Sequence, residues 1–325
     1  MLQRFGRCAG LLIAGLAALW PGAGRAQAPY PTRPITFVVT YPPGGGADLM
    51  ARLVAPRMSE ALGQPIVVDN KPGAAGQIGA AFVAKAAPDG YTVMVDASSF
   101  AINPGLYPKL PYDVKAFRVV GIPALFPHVV VVTPGFEAGS VQELVAKARA
   151  APGTISYASS GTGSAQHLAG ALFLQRTGAQ MVHVPYRGGG PAMNDVMGGH
   201  IPVFFANVAS GLSHIKAGKL RPLAVAGERR VAALPDVPTL AEAGIAGAEL
   251  YEWNGLFVPA GTPDAVVARL AEALAKAMQD PELKERVTAL GGEMVPGGPA
   301  EAGRFIAAET ERLTRVIKEG DIRPE

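Results

Sequence analysis

Residues 35–53 limit the folds open to this chain more than any other stretch. An apolar β-branched run, ITFVVT (35–40), leads into YPPGGGAD (41–48), and a helical pattern follows with Leu49, Met50 and Leu53 on one face. The order is strand, glycine turn, helix start. Three consecutive glycines remove every Cβ at the turn, so another molecule can approach the backbone closely. The first amides of the helix have no partner within it, and the helix dipole makes that end partly positive. Such an end suits a carboxylate or a phosphate. A plain glycine-rich turn fits the same residues.

The rest of the chain repeats the alternation. Short β-branched runs fall at 66–69, 91–96, 119–122, 128–133, 156–159, 181–184, 203–205 and 223–226. Helical patterns are expected at 78–86, 141–150 and 165–176. Thr262 is expected to cap a further helix with Pro263 at its first position, and Val266, Val267, Leu270, Leu274 and Met278 on one face. Pro299 starts a last helix that carries Phe305, Ile306, Leu313, Val316 and Ile317. Pro56 should end or kink the first one. Such alternation predicts α/β lobes with mostly parallel sheets. Roughly 300 residues is large for one core and suits two lobes.

The first residues carry a different signal. Arg4 and Arg7 precede LLIAGLAALW (11–20), and small residues follow at 24–28. This is the order of a secretory signal peptide, with the apolar run too short to span a bilayer. Cleavage after Ala26 is preferred, making 1–26 the signal peptide, because a cut after Ala28 would leave Pro29 at the new terminus. Cys8, the single cysteine, lies in this segment, so the mature chain has no disulfide, thiolate nucleophile or cysteine-bound metal. Hydrophobic residues make up 49%, charged ones 17%, and the net charge is +3. That composition is globular, and the scattered basic residues form no nucleic-acid patch. An exported, soluble protein is expected.

Four loops after strands are rich in Gly, Ser and Asn: 41–48, 97–104, 159–164 and 184–191. Loops at the carboxyl ends of strands are where open α/β sheets bind ligands. The stretch 159–164 mirrors the first loop and adds hydroxyls; His167 would sit in the first turn of the next helix. That stretch also fits a capping turn with a packed histidine. Arg187 fits either a carboxylate partner or a solvated rim residue. Asp48 would repel an anion, so it is read as support for the helix start or the loop amides. Asp195 and His200 lack metal-site spacing. No nucleotide-binding glycine motif and no G-x-S-x-G elbow is present. A nucleophilic Ser164 or Ser160 with His167 lacks a placed orienting acid.

The stretches YPPGGGAD (41–48), NKPGAAGQIGA (70–80), APDGYT (87–92), INPGLYPKLPYD (102–113), YASSGTGSAQHLAG (157–170), HVPYRGGGPAMNDVMGG (183–199), HIKAGKLRPLAV (214–225), LPDVPTLAEAG (234–244) and GLFVPAGTP (255–263) resemble the Bug family in content and order. These are the extracytoplasmic solute-binding receptors of tripartite tricarboxylate transporters. The resemblance implies a two-lobed, type II periplasmic binding protein of the Venus flytrap kind with two hinge crossovers. Lobe one would be 30–130 plus 256–325, and lobe two 131–255. It implies a periplasmic, non-enzymatic monomer that holds a small carboxylate, needs no cofactor or metal, and works with membrane permease subunits. By position, the first lobe would contact ligand through Tyr41, Pro43, Gly44, Gly45, Gly46, Ala47, Ser98, Ser99 and Asn103. The second would use Ser160, Gly161, Thr162, Gly163, Ser164, His167, Phe205, Ala206 and Asn207.

Two departures bear on the ligand. Ala171 replaces a common acid, and the strand reading IPVFFA (201–206) lacks both of its usual acids. With Ala206 facing the pocket, the site would lose a negative charge and favour a simple or aromatic carboxylate over an amino acid. A sensory protein that docks on a sensor kinase would carry the same pocket, and an exported hydrolase is the remaining rival.

Overall fold

The computed structural model describes residues 30–295 and 297–324; the expected signal peptide and Cys8 lie outside them. The first half runs β1 (Ile35–Val39), α1 (Gly46–Leu62), β2 (Ile66–Asn70), α2 (Gln77–Val83), β3 (Thr92–Ala97), α3 (Ser99–Leu106), β4 (Phe117–Gly121), β5 (Ala124–Val132) and α4 (Val141–Ala150). Then come β6 (Ser156–Ser159), α5 (Ala165–Thr177), β7 (Val182–Pro185), α6 (Gly189–Met197), β8 (Val203–Asn207), α7 (Val208–Lys216) and β9 (Arg221–Ala226). The chain closes with β10 (Tyr251–Pro259), α8 (Asp264–Met278), α9 (Pro281–Ala289), β11 (Glu293–Met294) and α10 (Pro299–Glu319).

Two strands organise the sheets. Along β10, Leu256 pairs antiparallel with Val95 of β3, while Glu252 pairs with Phe126 of β5. Further along β5, Val130 pairs with Phe205 of β8 and with Ala224 of β9. Thus β10 and β5 belong partly to one sheet and partly to the next. On one side β1 lies parallel between β2 and β3; on the other β6 lies parallel between β7 and β8. The two ends of this path form the two lobes. Parallel pairing holds at the outer strands only. The strands that link the lobes run antiparallel, so the sheets are mixed.

The first helix does not stop at Pro56. It continues to Leu62 and ends on Gly63 in the left-handed conformation (φ 70). Met50, Val54 and Met58 are buried on its inner face, whereas Arg52 and Pro56 are exposed. The carbonyl that loses its partner to Pro56 therefore faces solvent, and the buried side chains, worth roughly 1.5–3 kcal/mol each, carry the helix through. The expected loop at 97–104 is largely helical as α3. At α8 the cap falls one residue late: Pro263 is the N-cap, and buried Thr262 accepts a bond from Arg118 Nη1 at its carbonyl (2.8 Å).

Candidate functional site

The loop 41–48 joins β1 to α1, and Asp48 shapes it. Its carboxylate accepts from the Gly44 amide (3.0 Å), from Arg52 Nε (3.0 Å) and from Asn70 Nδ2 (2.9 Å). Burial would raise its pKa, but these bonds outweigh that and hold it below the ordinary carboxylate value. The Gly44 amide is thereby used up. The amides of Gly46 and Ala47 open α1, and the N-cap, Gly45, has no side chain to cover them. Across from them α5 opens after Ser164, whose hydroxyl accepts from the His167 amide (3.3 Å).

These two helix starts face each other over a narrow chamber. It is lined by Tyr41, Gly45, Gly46, Ala47 and Ala97 from one side, and by Ser160, Ala165, Gln166, Gly189, Phe204, Ser210 and Glu252 from the other side and the linking strand. Its volume is about 10 Å³, near the lower limit for one water. A Cβ at Gly46 would stand 2.6 Å from Glu252 Oε1 and 2.8 Å from Asn207 Nδ2, so only glycine permits this approach. A second contact is as close: a Cβ at Gly188, where φ is +121, would stand 2.4 Å from the Pro42 ring. The lobes are shut on each other.

Outside the chamber lies a larger cleft of about 690 Å³ that shares Tyr41 and Ser160 with it. Pro42, the turn 72–76, Ile78, Tyr107, Gly161, Thr162 and the segment 185–188 complete its walls. Within that turn Ala74 and Ala75 hold left-handed φ values of 48 and 49, at a cost of about 1–2 kcal/mol each. Asn103 Nδ2 bonds the Ala75 carbonyl (3.1 Å) and helps to hold the turn. Arg187 is exposed at the cleft wall.

The expected contact residues therefore divide. Tyr41, Gly45, Gly46, Ala47, Ser160, Gly161 and Thr162 line one or both spaces. Pro43, Gly44 and Gly163 line neither and shape the loops. Ser98 accepts from the Trp253 amide (3.0 Å), and Ser99 donates to Asp96 (3.2 Å), so both are scaffold. Ser164 is the α5 cap. His167 accepts from the Gly163 amide (3.3 Å) and stacks on His183 at 4.1 Å, as a packed histidine would. Phe205 turns into the core against Tyr157 and Phe173; Phe204, one residue earlier, faces the chamber. Asn207 caps α7 through Oδ1 (2.8 Å to the Ala209 amide) and presents buried Nδ2 toward Gly46.

Ala206 is packed against α7: a Cβ on Gly211 would stand 3.5 Å from its methyl. The negative charge expected to be missing there is supplied from another strand. Glu252 of β10 reaches the chamber and accepts from Gln166 Nε2 (2.8 Å). Neither residue was among the expected contacts. A lone acid inside the apolar run 250–259 was the available signal for Glu252.

Beneath the chamber sits a buried polar cluster. Asp96 accepts from Thr40 Oγ1 (2.6 Å), Ser99 Oγ (3.2 Å) and the Ala97 amide (2.8 Å). Burial pushes its pKa up to about 6, with a further push from Glu252. The Tyr41 hydroxyl is raised well above its usual value by burial and by Asp96. Burial lowers His183 to about 4, and its Nε2 lies 2.7 Å from Ser159 Oγ. Among the described residues no group of His, Cys, Asp and Glu could hold a metal ion, and no helix is long and apolar enough to cross a membrane.

Two lobes joined by paired strands, with opposed helix starts over an enclosed chamber, define a two-lobed periplasmic binding protein, and solved proteins of that class share this fold. The chain belongs to the tripartite tricarboxylate transporter receptor family: the model of the "Tripartite tricarboxylate transporter family receptor" matches residues 50–322. It is 38% identical to the protein BugT of Bordetella pertussis, over 89% of this chain and 90% of that one. Among solved structures it is similar to R. palustris Rpa4515 with adipate (34% identity, TM-score 0.88, 91% of this chain and 100% of that one). It is also similar to MatC from Rhodopseudomonas palustris with bound malate (30% identity, TM-score 0.85, 89% and 100%). The chain is thus a solute-binding receptor of this transporter type.

Proposed function

We propose that the receptor captures a small organic carboxylate between its lobes in the periplasm and delivers it, unchanged, to membrane permease subunits. The observation that carries this reading is the pair of opposed helix starts, α1 and α5, with Gly46, Ala47 and Ser160 at the chamber wall. Uncapped amides at a helix start are suited to a carboxylate. The relatives solved with adipate and malate support the same class of ligand. The chamber is too small for such a molecule in the closed conformation, so entry requires the lobes to part. We take residues 30–130 with 256–325 as one lobe and 131–255 as the other, hinged where β5 and β10 pass between them. Ligand then favours the closed state through contacts to both lobes. The cleft is complete within one chain, so a monomer suffices. Residues 1–26 direct export and are removed.

A thermal-shift panel of mono-, di- and tricarboxylates, aromatic acids and amino acids tests this. A true ligand at about 100 times its Kd adds roughly 2.7 kcal/mol of stability. No shift across the panel would sink the reading. Chemical conversion of a bound compound by the pure protein would sink the non-enzymatic part.

A further inference from the structure

Glu252 is a buried acid in the strand that links the lobes, 3% exposed. One oxygen, Oε2, takes the Gln166 bond. The other, Oε1, lies against Gly46. His128 of β5 stands behind, fully buried, with Nε2 3.7 Å from Oε2. Its Nδ1 lies 3.0 Å from the Leu250 carbonyl. A carbonyl only accepts, so Nδ1 carries the hydrogen. Nε2, on the side of the carboxylate, is buried and makes no hydrogen bond. No lysine or arginine lines the chamber to balance the acid.

Donors stand close by. The Gly46 and Ala47 amides open α1, and Asn207 Nδ2, a buried, unpartnered donor, reaches the same Gly46 position as Glu252 Oε1. The chamber thus holds donors and a carboxylate acceptor within reach of one another. A bare carboxylate satisfies only the donors and is repelled by Glu252. A carboxylate with an ammonium or hydroxyl on the adjoining carbon satisfies the donors and the acceptor at once. We propose that Glu252, with His128 behind it, selects ligands that carry a hydrogen-bond donor next to their carboxylate. This rests on the carboxylate reading above. The head of the ligand would fill the chamber once the lobes re-close around it, and its remainder would lie in the outer cleft.

The test uses calorimetry on matched acids that differ only at that carbon: propionate, lactate and alanine; succinate, malate and aspartate; glutarate, 2-hydroxyglutarate and glutamate. In at least one set the hydroxy or amino member should bind about 10-fold or more tighter than its parent, as a hydrogen bond to a charged group allows. Glu252→Gln should shrink that ratio to about 3-fold or less, since the neutral amide hydrogen-bonds more weakly and does not repel the parent. Parent acids that bind as well as their substituted partners to the native protein overturn the proposal, whatever the variant does, and so does a ratio that survives Glu252→Gln. Such results would mean that Glu252 does not read the carbon beside the carboxylate, and they would leave the carboxylate reading intact. Failure of all nine, together with the wider panel, would remove that reading and this one with it.

Discussion

The Tyr107 hydroxyl donates to the Thr162 carbonyl at 2.9 Å, joining the end of α3 in one lobe to the loop before α5 in the other. The bond can exist only with the lobes closed. Tyr107→Phe should therefore weaken ligand binding about 2- to 10-fold, the worth of one ordinary hydrogen bond. The ligand-free melting temperature should change little if the free receptor is mostly open. Calorimetry beside a thermal melt separates the two effects; unchanged affinity would show that the bond plays no part in the closed state.

Adjacent glycines in the first loop should behave differently. A Cβ at Gly45 meets only the Pro42 carbonyl, at an ordinary 3.6 Å, whereas one at Gly46 meets Glu252 and Asn207 from the far side. Gly45→Ala should retain binding within a few-fold. Gly46→Ala should lower affinity by about 100-fold or more, because overpacking of about 3 kcal/mol falls on the closed state alone. Both variants should fold normally by circular dichroism. Equal binding by the two would show that the observed approach is not the bound geometry.

Acid pH should set Asp96 and His183 against each other. His183 titrates at about 4 in the fold against an ordinary 6.5, so the unfolded chain takes up its proton first and this group costs stability as pH falls from 6.5 to 4. Asp96 titrates at about 6 against an ordinary 3.8, so the fold takes up that proton first and gains stability as pH falls from 6 to 3.8. Relative to the native protein, His183→Gln should become steadily more stable on acidification across that window, and Asp96→Asn steadily less. Urea titrations at several pH values read both differences; flat differences would refute the assignment.

Pro56 gives a test of the helix. Its ring removes one intrahelical bond on the exposed side of α1 without ending it. Pro56→Ala restores that bond and should stabilise the lobe by up to about 3 kcal/mol. A higher urea midpoint with an unchanged slope is the expected result. No gain would mean that the surrounding backbone is moulded to the proline.

Much of the architecture was legible from residue order. Helix α4 begins after Ser140 and runs over Val141–Ala150, as its apolar spacing and cap require. Pro299 opens α10, Ser164 caps α5, and Asp48 supports the first loop. These features depend on neighbours three or four positions apart, and local chemistry specifies them. The order of the glycine and serine stretches was enough to identify the family.

What lines the chamber was decided elsewhere. Glu252 meets Gln166 and His128, residues 86 and 124 positions away, because β5 and β10 pair as they pass between the lobes. Phe204 faces the chamber and Phe205 the core on the other face of the sheet, because register sets the face of each strand residue and a single step reverses it. Ser98, Ser99 and Asn103 look like ligand contacts in the chain, yet packing draws them into the scaffold. By itself the sequence determined the elements, the two glycine-rich loops that face each other and the family. Only the tertiary structure decided which side chains stand between those loops, because that depends on register and on contacts between strands far apart in the chain.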